Sequence, residues 1–276
     1  MNSSNILNYK KYYFFVISLF IIILVWLLGL RSLGINDSDL YLRQIWGASY
    51  QIIALAGGIL GFFVSRSWGG YKSLLGRAIL FLSISLLFQC VGQSISSLYM
   101  FMTGNLPYPS LGDIGFLGST ICYIIAGWLL VRANGLHISF NSLRGKFVVF
   151  IVPIVLIISS YYFFLKDYQF DWTTPIKVFL DFGYPLGDAL YVALAVVALI
   201  FCEKMMGGIM KSPIRLLIIA LLFQYIADFT FLYQSNLGTW YVGGLNDLLY
   251  FSSYFLMSMS LIYIGQTFNK IRSSAS

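Results

Sequence analysis

Hydrophobic positions in this chain do not alternate with polar ones; they run together. Eight stretches, 12–30, 50–64, 79–101, 111–131, 147–165, 183–201, 214–233 and 245–265, are continuously apolar, with short polar gaps between them. Each is near the ~20 residues that a helix needs to cross ~30 Å of hydrocarbon. The second is the shortest, and Trp46 is a natural earlier start for it. A membrane barrel strand would be about ten residues long with strict alternation. In lipid, a helix also satisfies its own backbone amides segment by segment. The pattern therefore predicts an all-α polytopic membrane protein with eight transmembrane helices, forming a single integral-membrane domain over 1–276. Residues 1–11 and 266–276 are left as short tails. Lys10 and Lys11 before the first run imitate a signal peptide, but the run is too long and no small-x-small cleavage site follows. We expect it to be retained.

Within this pattern one stretch returns. Phe88-Gln89-Cys90-Val91-Gly92-Gln93 reappears as Phe223-Gln224-Tyr225-Ile226-Ala227-Asp228. Each copy passes a tyrosine, Tyr99 or Tyr233, and crosses an uncharged loop through Gly104 or Gly238. Each then enters a new apolar run at Leu111-Gly112-Asp113 or Leu245-Asn246-Asp247. Tyr184-Pro185-Leu186-Gly187-Asp188 repeats the step a third time, whereas the second run has Trp46-Gly47 and Tyr50 instead. The reading is four tandem helical hairpins, one diverged, as parallel repeats about an axis along the membrane normal.

Composition agrees. Only 10% of the residues are charged, against about 25% in a soluble domain. The net charge of +7 lies in gaps between apolar runs rather than along a stripe, which argues for membrane topology and against nucleic acid as a partner. Thirteen of the 17 Lys and Arg fall at the N-terminus, at the C-terminus and after runs two, four and six. The positive-inside rule then places both termini in the cytoplasm of a multi-pass cell-membrane protein. Cys90, Cys122 and Cys202 lie inside apolar runs and read as small hydrophobes. His137 has no second His or Cys near it, and no metal site is expected.

Candidate chemistry rests on carboxylates. Asp113, Asp188 and Asp247 stand at expected helix starts. Ser110-x-x-Asp113 has capping-box spacing and Pro185 suits a first helical position, so capping explains all three without a ligand. The functional alternative is a carboxylate ring around an outward vestibule. Asp228 differs, lying about fifteen residues into its run, where an ionisable group costs at least ~2.5 kcal/mol to insert. Gln224 is four residues earlier, on the same helix face, and Gln89 and Gln93 form the matching pair in the other copy. For the glutamines, interhelical hydrogen bonding suffices. For Asp228 the reading stays open between packing and a ligand or proton site. Tyr108, Trp172, Tyr184, Trp240 and Tyr241 read as an interfacial belt, with an aromatic-lined pocket on the outer side as the alternative. No cofactor follows from the residues.

These motifs resemble the multi-helix membrane sensor regions found N-terminal to diguanylate cyclase (GGDEF) and histidine-kinase output domains. Pro107-Tyr108-Pro109-Ser110-Leu111-Gly112-Asp113, the Tyr184 to Asp188 step and Gly243-Gly244-Leu245-Asn246-Asp247 carry the resemblance, which covers roughly 88–265. It implies a sensor or ligand-binding module without catalysis. The chain stops about ten residues after the last run, so the expectation is either an output domain outside this sequence or signal transduction through a separate output protein. The competing expectation is a small-solute or proton-coupled transporter, or a membrane-embedded enzyme, using Asp228.

Overall fold

The structure is a computed structural model that describes residues 9–32, 40–133, 151, 153–159, 161–162, 166, 170–202 and 209–274. The described residues are helical, in turns or bends, or without regular structure, and none is in a strand. The helices are α1 (Tyr9–Ser32), α2 (Leu40–Ser49), α3 (Gln51–Ser67), α4 (Leu74–Thr103), α5 (Gly112–Ala133), α6 (Pro175–Cys202), α7 (Lys211–Asn236) and α8 (Leu245–Ser274). A 3-10 turn, Gly70–Lys72, joins α3 to α4. Among the described residues seven spans are long and apolar enough to cross a membrane, with α2 and α3 together making one, Tyr41–Ser67. The chain is a multi-pass membrane protein on that ground. The fifth run, 147–165, is described only in part, with 153–159 helical.

Three boundaries differ from the sequence expectation. The second span begins earlier than 50, as Trp46 suggested. The last helix continues past 265 to Ser274, through the expected tail, with Thr267 still buried. The sixth helix begins at Pro175, not near 183. Asp188 and Pro185 are therefore inside α6, and neither is at a helix start. The apolar run beginning at 183 hid the first turns of α6, where Lys177 and Asp181 interrupt the hydrophobic pattern. Proline there removes one backbone bond, which a membrane helix tolerates when neighbours re-satisfy it.

Packing contacts close a ring: α3 on α4, α4 on α5, α5 on α6, α6 on α7, α7 on α8, and α8 back on α3, with α1 against α8. The outer surface is apolar, with Ile22, Trp128 and Phe179 exposed. Polar side chains turn inward: Gln89, Gln224, Ser83, Ser119, Ser253 and Ser258 are all buried. This is the arrangement lipid demands, because hydroxyls and amides find partners only inside the bundle. Ser258 donates to the Ile53 carbonyl and Ser253 to the Ala220 carbonyl, tying α8 to α3 and α7. Small residues allow such approach. A Cβ on Gly115 would lie 2.6 Å from the Gly92 amide nitrogen, so α4 and α5 meet backbone to backbone.

Candidate functional site

At the end of the ring where α4 finishes and α5 and α8 begin, the side chains leave a cavity. It is lined by residues of α2, α4, α5, α6, α7 and α8 and of the loops before α5 and α8. Its volume is about 70 Å³. Asp113, Asp228, Asp247 and Gln93 line it, together with Ser96, Tyr108, Tyr184, Phe231, Trp240 and Tyr250.

Each carboxylate is held by neutral donors. Asp113 caps a helix and also lines the cavity. Its Oδ2 accepts from the Ser110 amide at 2.6 Å and the Ser110 hydroxyl at 3.2 Å, while Ser110 Oγ accepts from the Gly112 amide: a capping box at the start of α5. Its Oδ1 accepts from the Tyr184 hydroxyl of α6 at 2.8 Å. Asp247 does the same at the start of α8, accepting from the Gly243 amide at 2.7 Å and from the Tyr50 hydroxyl at 3.5 Å. The cap fixes the carboxyl at the helix end, and its second oxygen crosses to the neighbouring helix.

Asp228, the eighteenth of the 26 residues of α7, is half-buried and opens onto the cavity. Gln224 donates to both of its oxygens, at 3.3 and 3.2 Å, as expected for residues one turn apart on one face. Tyr250 of α8 donates at 2.6 Å. The amide oxygen of Gln224 accepts from Ser253, while Gln89 donates to Ser119 at 2.7 Å and accepts from Tyr254 at 2.9 Å. Gln89 and Gln224 are fully engaged in the core and do not line the cavity.

Asp188 is not on the rim either. It is buried in the bundle, with its carboxyl against that of Asp228 across the α6–α7 contact. The Tyr191 hydroxyl lies beside it, and the Tyr123 hydroxyl lies beside Ser85. The structure thus brings together Asp113, Asp228, Asp247 and Gln93, and places Asp188, Gln89 and Gln224 deeper.

Sequence reasoning missed the tyrosines. Tyr184, expected in an interfacial belt, is buried and serves Asp113. Tyr50 and Tyr250 were not singled out as ligands of carboxylates. The available signal for Tyr250 was its spacing of three from Asp247, which puts both on one face of α8. Tyr108 donates to Asp181 at 2.7 Å, a second aspartate that drew no attention in the sequence. The Tyr108, Phe231 and Trp240 rings follow one another along the wall, with centroids 6.3 and 6.0 Å apart. Among the described residues no group of three or more His, Cys, Asp and Glu is placed to hold a metal ion. Set against models of protein families, curated proteins and solved structures, the chain matches none of them, so function rests on the geometry of this site.

Proposed function

We propose that the chain is a membrane-embedded receptor that binds a small polar ligand from the outer side and signals through a separate partner protein at the cytoplasmic side. The observation that carries this reading is the cavity itself, where Asp228 meets Asp113, Asp247 and Gln93 from four different helices. A concave site with a few convergent polar groups on an apolar wall is the usual form of a small-molecule site. The orientation comes from charge: Arg66, Lys72, Arg77, Arg132, Lys270 and Arg272 flank the opposite end of the bundle. The cavity then opens outward and both termini are cytoplasmic.

Two further observations support the reading. The hairpins α4–α5 and α7–α8 read as parallel repeats, because Gln89 pairs with Ser119 and Gln224 with Ser253, the glutamine donating in the first pair and the serine in the second, each serine six residues after the cap aspartate. Tyr184–Asp113 and Tyr50–Asp247 extend the match to α6 and α3. A site at the meeting of two repeats changes shape when they shift against each other. Second, α8 runs without a break from Asp247 at the cavity to Ser274, 28 of its 30 residues, about 42 Å. That is longer than the hydrocarbon core, so α8 links the cavity to the cytoplasmic face, where a partner would read it.

The test is metabolite retention. Protein in lipid nanodiscs is equilibrated with a cell extract and the retained small molecules are identified by mass spectrometry. Wild type should hold a compound that is lost in Ser97→Trp, which fills the cavity, and in Asp228→Asn. No compound retained over Ser97→Trp would sink the receptor reading.

A second reading, proton-coupled transport of a small solute, is favoured by Asp188 against Asp228 in the bundle interior and by Pro185 inside α6. Uptake of the retained compound into proteoliposomes, driven by a proton gradient and absent in Asp188→Asn, would establish it in place of the receptor.

A further inference from the structure

Helix α1 meets the ring through one narrow face. Val16, Ile23 and Leu27 are buried, and Phe20 stacks on Phe251 and Phe255 of α8. Between α1 and α3 lies a groove of about 500 Å³. Its floor is a stripe of α3: Ile52, Leu55, Ile59 and Phe63 line it at helical spacing and are exposed. Tyr12 and Phe15 of α1 form the facing wall. From Ile52 to Phe63 the stripe rises about 16 Å at 1.5 Å per residue, about half of the ~30 Å hydrocarbon core. The groove thus has the depth of one leaflet.

At one end the groove meets positive charge. Lys11 lines it, and Arg66, three residues beyond Phe63, continues the stripe on the same face. The Tyr9 hydroxyl lies 3.5 Å from Ser67 Oγ, so the first turn of α1 and the last turn of α3 stand at one level. Both cations are exposed, and among the described residues neither is in an ion pair. No described carboxylate stands near them. Asp113, Asp171, Asp181 and Asp247 belong to the other end of the bundle, and Asp188 and Asp228 to its interior.

We propose that this groove is a site for an anionic glycerophospholipid of the leaflet at the N-terminal end of α1, the cytoplasmic leaflet by the distribution of charge. One acyl chain lies along the α3 stripe, and the phosphate sits against Lys11 and Arg66. Basic pockets between membrane helices on the cytoplasmic side bind such headgroups. A partner's helix would have to supply a carboxylate at this level to answer both cations. A phospholipid carries its negative charge at the end of its apolar chain, as the groove requires. A zwitterionic lipid would add an ammonium beside the two cations, so the site discriminates by headgroup. It does not depend on what the outward cavity binds.

The test is native mass spectrometry of the full chain released from detergent micelles, titrated with palmitoyl-oleoyl phosphatidylglycerol or phosphatidylcholine. Each basic residue near a membrane surface is worth about fivefold in affinity for an anionic lipid. The first phosphatidylglycerol should therefore bind about tenfold or more tighter than the first phosphatidylcholine. Lys11 is exposed, so Lys11→Gln keeps the fold and should cut that preference about fivefold. Adding Arg66→Gln should bring the two lipids level. Ala56→Trp, which fills the groove, should weaken both. Arg132→Gln removes a cation from the same end of the bundle but on α5, which packs on α4 and α6, and should change nothing. Equal binding of the two lipids to the wild type would overturn the site. An equal loss in Arg132→Gln and Lys11→Gln would do the same, since that is the mark of unspecific attraction. So would phosphatidylglycerol bound undiminished to a folded Ala56→Trp. A dimer that excludes lipid and is lost in Ala56→Trp would give the groove to a second copy of the chain instead.

Discussion

The Tyr184 hydroxyl donates to Asp113 Oδ1 at 2.8 Å, from the interior of α6 to the first turn of α5. The other oxygen of the same carboxyl closes the capping box of α5. One side chain thus sets the start of a helix and the spacing to its neighbour, and it does so on the wall of the cavity. Tyr50, the residue just before α3, makes the corresponding contact to Asp247 of α8 at a longer 3.5 Å.

Removing the Tyr184 hydroxyl should therefore cost more than removing that of Tyr50. Tyr184→Phe leaves a buried carboxylate oxygen without its donor, a loss of about 1–3 kcal/mol. Tyr50→Phe should cost less, because its bond lies at the limit of hydrogen-bond distance. Thermal unfolding in nanodiscs gives the comparison. Equal midpoints for the two variants would show that the Tyr184 contact contributes nothing beyond packing.

Gly115→Ala should separate α4 from α5. The added methyl meets the Gly92 backbone at 2.6 Å, which no rotamer change relieves, and overpacking of this sort costs about 1–3 kcal/mol. Gly183→Ala in α6 meets nothing within 4 Å and should be neutral or gain up to about 1 kcal/mol from helix propensity. A destabilised Gly183→Ala beside an unaffected Gly115→Ala would contradict the α4–α5 contact.

Orientation can be read by labelling. In a cysteine-free background, Thr239→Cys between α7 and α8 should react with an impermeant maleimide on intact cells, and Ser273→Cys only after permeabilisation. Both positions are exposed. Labelling of Ser273→Cys from outside would reverse the topology.

Acid should loosen the loop that enters α6. The Asp171 carboxyl accepts from the Thr173 hydroxyl at 2.6 Å and the Thr173 amide at 3.0 Å. These bonds favour the ionised form and hold its pKa below the usual carboxylate value, with Lys177 adding to the effect. A lowered folded-state pKa means that the stabilisation is complete above the unfolded value and is lost as pH falls through the folded one. Carboxyl carbon shifts followed by NMR should give a midpoint below that of Asp171 in a short peptide. A midpoint at or above the peptide's would remove the Thr173 contacts from the account.

Spans, helical class and the distribution of charge were legible in the sequence because they are local. Lipid requires about twenty apolar residues and internally bonded backbone wherever they occur, whatever the neighbours do. The polar face of Gln224 and Asp228 was legible for the same reason, since residues four apart share a helix face. The start of α6 was not. Lys177 and Asp181 break its apolar pattern, so Pro185 and Asp188 read as a helix start while lying inside a longer helix. The partners of the carboxylates were not legible either. Tyr184 with Asp113, Tyr50 with Asp247 and Tyr250 with Asp228 lie 71, 197 and 22 residues apart in the chain. Sequence identifies such groups as polar and costly to bury, but only the closure of α3 to α8 into a ring decides which hydroxyl meets which carboxyl. That closure also decides that Asp113, Asp228 and Asp247 share one cavity while Asp188 sits beneath it, because each position depends on the packing of several helices at once.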